Sequence, residues 1–147
     1  MPKRYIESSI WADSWFENLD SSDKLLFFYL LTNDRTNMLG IYEVSMKKIS
    51  FDTGLTTKAI CKGFEGFAKA SKAFYTDENY VVLKNFLKHQ RFNANMKKSA
   101  LAIYKDLPNS LKIKDLKLSN LTLEQGFESL CQGFGIFNLI EVEVEIE

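Results

Sequence analysis

Apolar and polar positions along the first part of the chain predict a series of short helices. Residues 25–31, LLFFYLL, are apolar on every side of a helix, a pattern typical of a buried central helix. Ser21 or Ser22 is expected to cap this helix, and Asp23 places a negative charge in its first turn, where the helix dipole favours one. The helix is predicted to end at residues 32–34, before a polar loop.

Residues 45–69 carry the pattern of two helices joined by a tight turn. Ser45 caps the first helix, and Gly54 suits its left-handed end because glycine has no side chain to clash there. Thr56 or Thr57 caps the second helix immediately afterwards. The first helix carries Met46, Ile49 and Phe51, and Leu55 is expected to fill the corner. The apolar residues of the second helix are Ile60, Phe64, Phe67 and Ala68.

Short β-prone runs lie on either side of this pair of helices. Residues 40–44 predict a strand, and residues 73–76 and 80–83 predict a hairpin because three polar residues join them. A further helix is expected to begin at residues 93–95 and to end at Pro108. The predicted fold class is therefore α+β and mostly helical: a winged helix-turn-helix with a small β-hairpin and an extra C-terminal helix.

Charge divides the chain near residue 108, although the 147 residues have a net charge of +0. Residues 1–108 hold 16 Lys and Arg against 12 Asp and Glu, whereas residues 109–147 hold 3 against 7. We expect a winged-helix domain over 1–108, mildly basic and suited to a polyanionic partner, and an acidic C-terminal extension over 109–147. The alternating Glu of residues 141–147 suits a strand or a solvated tail, and we favour the weakly ordered tail.

Few residues suit catalysis or metal binding. Cys61 and Cys131 are the two cysteines and His89 is the single histidine, too few ligands for a zinc site. No phosphate-binding glycine motif and no paired carboxylates occur, so we predict neither an enzyme nor a cofactor. Cys61 is expected to be a small buried residue. Since no run of 18 apolar residues and no signal-peptide core occur, the predicted location is the cytoplasm.

The second helix of the predicted helix-turn-helix is the candidate DNA-binding element. Such a helix enters the major groove, where its first residues reach base edges and its lysines attract phosphates. The predicted contact residues are Thr56, Thr57, Lys58, Cys61, Lys62 and Lys69. Alternatively, Lys58, Lys62 and Lys69 lie on a solvated face of the helix and bind no ligand. Lys72 and Lys84 flank the hairpin and are further candidates. The acidic turn at 77–79 argues against contact between the tip of the hairpin and the DNA backbone.

A second basic stretch follows the hairpin. It holds no acid between residues 85 and 98, and its predicted DNA-binding residues are Lys84, Lys88, Arg91, Lys97 and Lys98. Phe86 and Phe92 lie among them, and such aromatics stack on bases in some single-strand binders, although packing into the core is their more common role. The sequence leaves the choice between duplex and single-stranded DNA open.

Four stretches of the sequence resemble phage and prophage replication proteins of Gram-positive bacteria. They are RYIESSIW at 4–11, DKLLFFYLLTN at 23–33, TNMLGIYE at 36–43 with FDTG at 51–54, and VLKNFLKHQ at 82–90. The resemblance covers residues 4–108 and is similar to the N-terminal winged-helix part of replisome organisers and DnaD-like primosomal proteins.

This resemblance implies binding to origin or primosome DNA, self-association through the N-terminal region, and recruitment of a helicase loader or helicase. Family members often carry a further helical domain where this chain has an acidic segment. The resemblance therefore gives less support to helicase recruitment than to DNA binding. The predicted function is therefore a nonenzymatic, DNA-binding, phage-type replication initiation protein. Two alternatives stay open: a winged-helix transcriptional regulator, and a protein-interaction module on a winged-helix scaffold.

Overall fold

Five α-helices and a three-stranded antiparallel sheet make up the part of the chain that the computed structural model describes, residues 3–84, 86 and 93–111. In chain order the elements are α1 (Ser14–Glu17), α2 (Ser21–Thr32), β1 (Ile41–Glu43), α3 (Met46–Thr53), α4 (Thr57–Lys69), β2 (Ala73–Tyr75), β3 (Tyr80–Leu83) and α5 (Ala94–Lys105), with 3-10 turns at Ser8–Ala12 and Asn109–Leu111. The predicted α+β class is thus confirmed.

The sheet has the order β1-β3-β2, so the hairpin strand β3 lies between its neighbour in sequence and the more distant β1. Val82 of β3 pairs with Ile41 of β1 on one side and with Phe74 of β2 on the other. Asn79 closes the hairpin turn with a φ of 65°, a backbone conformation that asparagine tolerates better than most residues. The predicted hairpin and the predicted strand before α3 are both present.

Capping side chains set the helix starts. Asp20, rather than Ser21 or Ser22, caps α2, and its carboxylate accepts a hydrogen bond of 2.8 Å from the Asp23 backbone N–H. The predicted caps Ser21 and Ser22 are therefore wrong, by one and two residues, because Ser21 already begins the helix and Asp20 is the last extended residue. Ser45 caps α3, as the sequence predicts, and Asn93 caps α5, at the predicted start of that helix.

Two hydrophobic clusters lie on opposite faces of the sheet. Successive strand residues point to opposite faces, so Val82 contributes to one cluster while Val81 and Leu83 contribute to the other. The first cluster holds Ala100 and Tyr104 of α5, and the second holds the buried side chains of α2, α3 and α4. Helices α4 and α5 therefore pack on opposite sides of the sheet.

The central helix α2 is buried along one side only. Leu26 and Leu30 are fully buried in the second cluster, whereas the side chain of Leu25 is 46% exposed. The prediction of a helix buried all round is wrong, because α2 is covered by α3 and α4 on one flank and only partly by the N-terminal aromatic residues on another.

Close packing of α4 on α2 explains one of the two glycines in α4. A Cβ at Gly63 would lie 2.7 Å from Leu26 Cδ2 and 3.0 Å from Asp23 Oδ1, whereas a Cβ at Gly66 would meet no atom within 4 Å. Gly66→Ala should therefore raise the free energy of unfolding by about 1 kcal/mol, the helix-propensity gain. Gly63→Ala should lower it by about 1 kcal/mol, because crowding against the buried Leu26 outweighs the same gain.

Urea unfolding of the two variants beside the wild type measures this difference. Each variant is the control for the other, since both place the same alanine in the same helix. Equal stabilisation by both substitutions would show that α4 does not approach α2 as closely as the Gly63 geometry requires.

Some predictions concern residues outside the described part of the chain. These are Lys88, Arg91, Phe92, His89 and the acidic extension beyond residue 111. Leu111, just after the predicted boundary at 108, is buried in the first cluster. Within the described residues, no helix combines the length and the apolar character needed to cross a lipid bilayer.

Candidate nucleic-acid interface

The corner between α3 and α4 has the predicted geometry. Gly54 ends α3 with a φ of 78° and a ψ of 5°, and Leu55 packs against the second cluster. The Ser50 hydroxyl donates a 2.6 Å hydrogen bond to the Leu55 carbonyl, and the Thr53 hydroxyl accepts one of 3.1 Å from the Leu55 backbone N–H. Thr56 then caps α4 by accepting a 3.1 Å hydrogen bond from the Ala59 backbone N–H. These bonds fix the direction in which α4 leaves the corner.

Helix α4 buries one side and exposes the other. Ile60, Gly63, Phe64 and Phe67 face the core, at the three- and four-residue spacing of a single helical side. The exposed residues define what we call the outer face of α4: Thr57, Lys58, Cys61, Lys62, Glu65 and Lys69. Cys61 is exposed, so its expected burial is wrong. At 3.6 residues per turn it lies roughly 100° round the helix from Ile60, on the side away from Gly63, and so falls outside the buried side.

The outer face of α4 has a basic first half. Lys69 pairs with Glu65 at 3.4 Å, and both side chains are well exposed, so this ion pair contributes little to stability. Among the described residues, neither Lys58 nor Lys62 forms an ion pair. Asp23 of α2 is close enough to Lys62 for a Coulombic effect on its carboxyl group. Burial and Asp20 raise the pKa of Asp23, and Lys62 opposes that rise.

The remaining predicted lysines do not all join this face. Lys72 is half-buried, with its ammonium group 5.2 Å from the centre of the Trp15 ring, a cation–π arrangement inside the protein. Lys84 is half-buried beside the hairpin. Lys97 and Lys98 belong to α5, across the sheet from α4. The predicted set therefore divides into an α4 group and an α5 group that cannot lie on one flat surface.

Two phenylalanines differ sharply in exposure. Phe86 is 4% exposed and packs in the second cluster, the core role that the sequence favours for it over base stacking. Phe51, one of the apolar residues of the first predicted helix of the pair, is 86% exposed on α3. Ile49 occupies the buried side of α3, and a residue two positions further along a helix points away from that side. Lys47 is also exposed on α3 and was not among the predicted residues.

A polar cluster binds α3 to α2. The Tyr29 hydroxyl donates a 2.6 Å hydrogen bond to Asp52, and Lys48 lies 2.9 Å from both Asp52 and Asp34. The hydrogen bonds from Tyr29 and Lys48 lower the pKa of Asp52, and Lys48 lowers that of Asp34. Asp52, the acidic residue of α3, is therefore directed toward Tyr29 of α2.

The lowered pKa of Asp52 makes a pH-dependent contribution to stability. A carboxyl group with a lowered folded-state pKa stabilises the protein fully above its unfolded-state pKa of about 3.9, and this contribution is lost as the pH falls through the folded-state value. Asp52→Asn should therefore be less stable than the wild type at neutral pH, with a difference that shrinks below about pH 4. Thermal unfolding of both proteins across that pH range measures it, and a difference independent of pH would contradict the assignment.

The hairpin turn lies on the surface and is acidic. Asp77 and Glu78 are both exposed at the end of the hairpin. Tyr75 at the end of β2 donates a 2.7 Å hydrogen bond to the Val44 carbonyl, and burial raises its pKa to about 12. The hairpin is thus tied to the start of α3, and its tip repels rather than attracts a polyanion.

Within the described part of the chain, no group of three or more His, Cys, Asp or Glu side chains is placed to hold a metal ion. Comparison with protein-family models, with curated proteins and with solved structures finds no match to this chain.

Proposed function

We propose that this chain is a nonenzymatic DNA-binding protein of phage-type replication initiation, and that the outer face of α4 contacts the DNA. The observation that carries the proposal is the exposed basic half of this face, with Lys58 and Lys62 directly after the rigid Gly54 corner. Lysines so placed neutralise phosphates, while Thr56 and Thr57 offer short polar side chains for a phosphate or a base edge.

The element order supports a winged-helix interpretation of the region from α2 to β3. Helix, strand, two helices and a hairpin follow one another, and the first strand pairs with the second strand of the hairpin. In this interpretation α4 is the recognition helix and the β2–β3 hairpin is the wing. The acidic tip of that hairpin leaves α4 as the main contact.

The replication role rests on the resemblance described for residues 4–108. It extends the proposal to origin DNA as the target, to a homo-oligomer in the bacterial cytoplasm, and to a helicase loader or helicase as partner. Footprinting on the DNA that encodes and surrounds this protein tests the first of these. Protection of an origin supports replication initiation, whereas protection confined to a promoter favours the transcriptional regulator.

A salt titration tests DNA binding itself. Fluorescence anisotropy with duplex and single-stranded oligonucleotides should give affinities that fall linearly on a log–log plot against salt, because phosphate contacts release counterions. Binding to neither probe at low salt would overturn the proposal.

The second candidate function is a protein-interaction module on the same scaffold. The exposed acidic residues Asp77 and Glu78 and the net charge of +0 favour it, since both weaken attraction to DNA. This function predicts that the protein binds no DNA probe at low salt, although circular dichroism shows that it is folded.

A further inference from the structure

Phe51 is the most exposed large apolar side chain among the described residues, at 86%. A phenylalanine in this state leaves its ring faces in water and gains almost nothing from burial. It lies one turn of α3 beyond Lys47, and residues four apart share one side of a helix. An aromatic ring and an ammonium group thus stand next to each other on the exposed side of α3.

The charges around Phe51 favour an anionic partner. Asp52, the neighbouring acid, is directed toward α2 by Tyr29 and Lys48, so Lys47 is the charged residue that shares the side of Phe51. Three residues further on, Gly54 opens onto free space, since a Cβ there would meet no atom within 4 Å. Beyond the corner, α4 presents Lys58 and Lys62 on its outer face.

We propose that Phe51 stacks on an unpaired base of single-stranded DNA whose phosphates are held by Lys47 and by the lysines of α4. This inference rests on the proposed DNA-binding function and adds a preference for unpaired strands. A flat π-face beside cationic side chains is the arrangement that sequence-independent single-strand binders use, because every base offers a face to stack on. In duplex DNA the base faces are covered by their neighbours, so the ring has no base face to contact there.

Variants at position 51 test the stacking. Affinity for a mixed-sequence single-stranded oligonucleotide and for the matching duplex is measured at low salt for the wild type, Phe51→Ala, Phe51→Leu and Phe51→Trp. Since the side chain is so exposed, the variants should keep the wild-type melting temperature, which is checked first. Phe51→Ala and Phe51→Leu should each lose about tenfold in single-strand affinity, as expected for one base stack, with duplex affinity unchanged. Phe51→Trp should retain the affinity and show tryptophan quenching on single-strand binding beyond that of the wild type.

The outcomes separate this inference from the proposed function. If the wild type binds neither probe, DNA binding itself fails. If it binds DNA but Phe51→Ala does so equally well, or loses duplex and single-strand affinity alike, stacking is overturned while DNA binding stands. If Phe51→Leu keeps full single-strand affinity, the ring is not stacking and the apolar side chain is better explained as a docking point for another protein.

Discussion

Replacing Lys58 and Lys62 together by alanine is expected to weaken DNA binding by about ten- to a hundredfold at low salt. Each lysine that neutralises a phosphate contributes through counterion release, so the double variant should also lose about two units of slope in the log–log salt plot. Both side chains are exposed on the outer face of α4, and stability should therefore change little. Anisotropy titrations over a range of salt concentrations measure both quantities.

The matched control removes the same charge from the other side of the sheet. Lys98 and Lys105 are exposed on α5, so Lys98→Ala with Lys105→Ala changes the net charge equally and leaves α4 intact. We expect this variant to keep nearly all of the wild-type affinity. An equal loss in both double variants would mean that overall charge, or the second basic stretch that includes Lys98, contributes to binding as much as the outer face of α4.

Gly40→Ala is expected to be the most destabilising of the substitutions considered, at about 3 kcal/mol. Gly40 precedes β1 with a φ of 74°, and a Cβ there would lie 2.6 Å from Phe86 Cβ and 2.7 Å from Phe86 Cγ. The backbone strain and the overlap with a buried aromatic ring add together. Phe86 cannot easily withdraw, because it is 4% exposed in the second cluster.

Gly54→Ala separates the two contributions to this effect. Gly54 has nearly the same backbone, with a φ of 78°, but its added Cβ meets nothing within 4 Å. Gly54→Ala should therefore lower the free energy of unfolding by about 1 kcal/mol, through the strain of the left-handed backbone alone. Urea or thermal unfolding compares the two variants, and similar losses at both positions would show that the contact between Gly40 and Phe86 does not constrain the fold.

Local signals in the sequence are sufficient to predict the corner between α3 and α4 and the hairpin. Ser45, Gly54 and Thr56 each perform a function that depends on a few neighbouring residues, namely capping or a left-handed turn, so their side chains alone indicate the structure. The pairing of β1 with β3 brings together residues about forty apart and depends on tertiary packing, which the sequence pattern does not specify.

The candidate site was harder to predict, since it depends on which side of each helix is covered. Residue type predicts burial for Cys61 and gives no side of α3 for Phe51, yet both are exposed. Phe51 lies two residues after the buried Ile49 and points away from it, and Cys61 falls outside the buried side of α4, so helical position outweighs hydrophobicity here. The cation–π position of Lys72 and the placement of α5 across the sheet required the three-dimensional packing.

Residue-level mapping of the bound surface by NMR is the most direct test of the proposed interface. Two-dimensional ¹H–¹⁵N spectra of the 17.0 kDa protein would be recorded as single-stranded and duplex oligonucleotides are added separately. We expect the largest amide shifts on residues 54–62 with both probes, and on residues 47–51 as well with the single strand, while residues 77–79 and α5 stay nearly unchanged. Shifts centred on α5 or on the hairpin tip, with residues 54–62 unaffected, would contradict it.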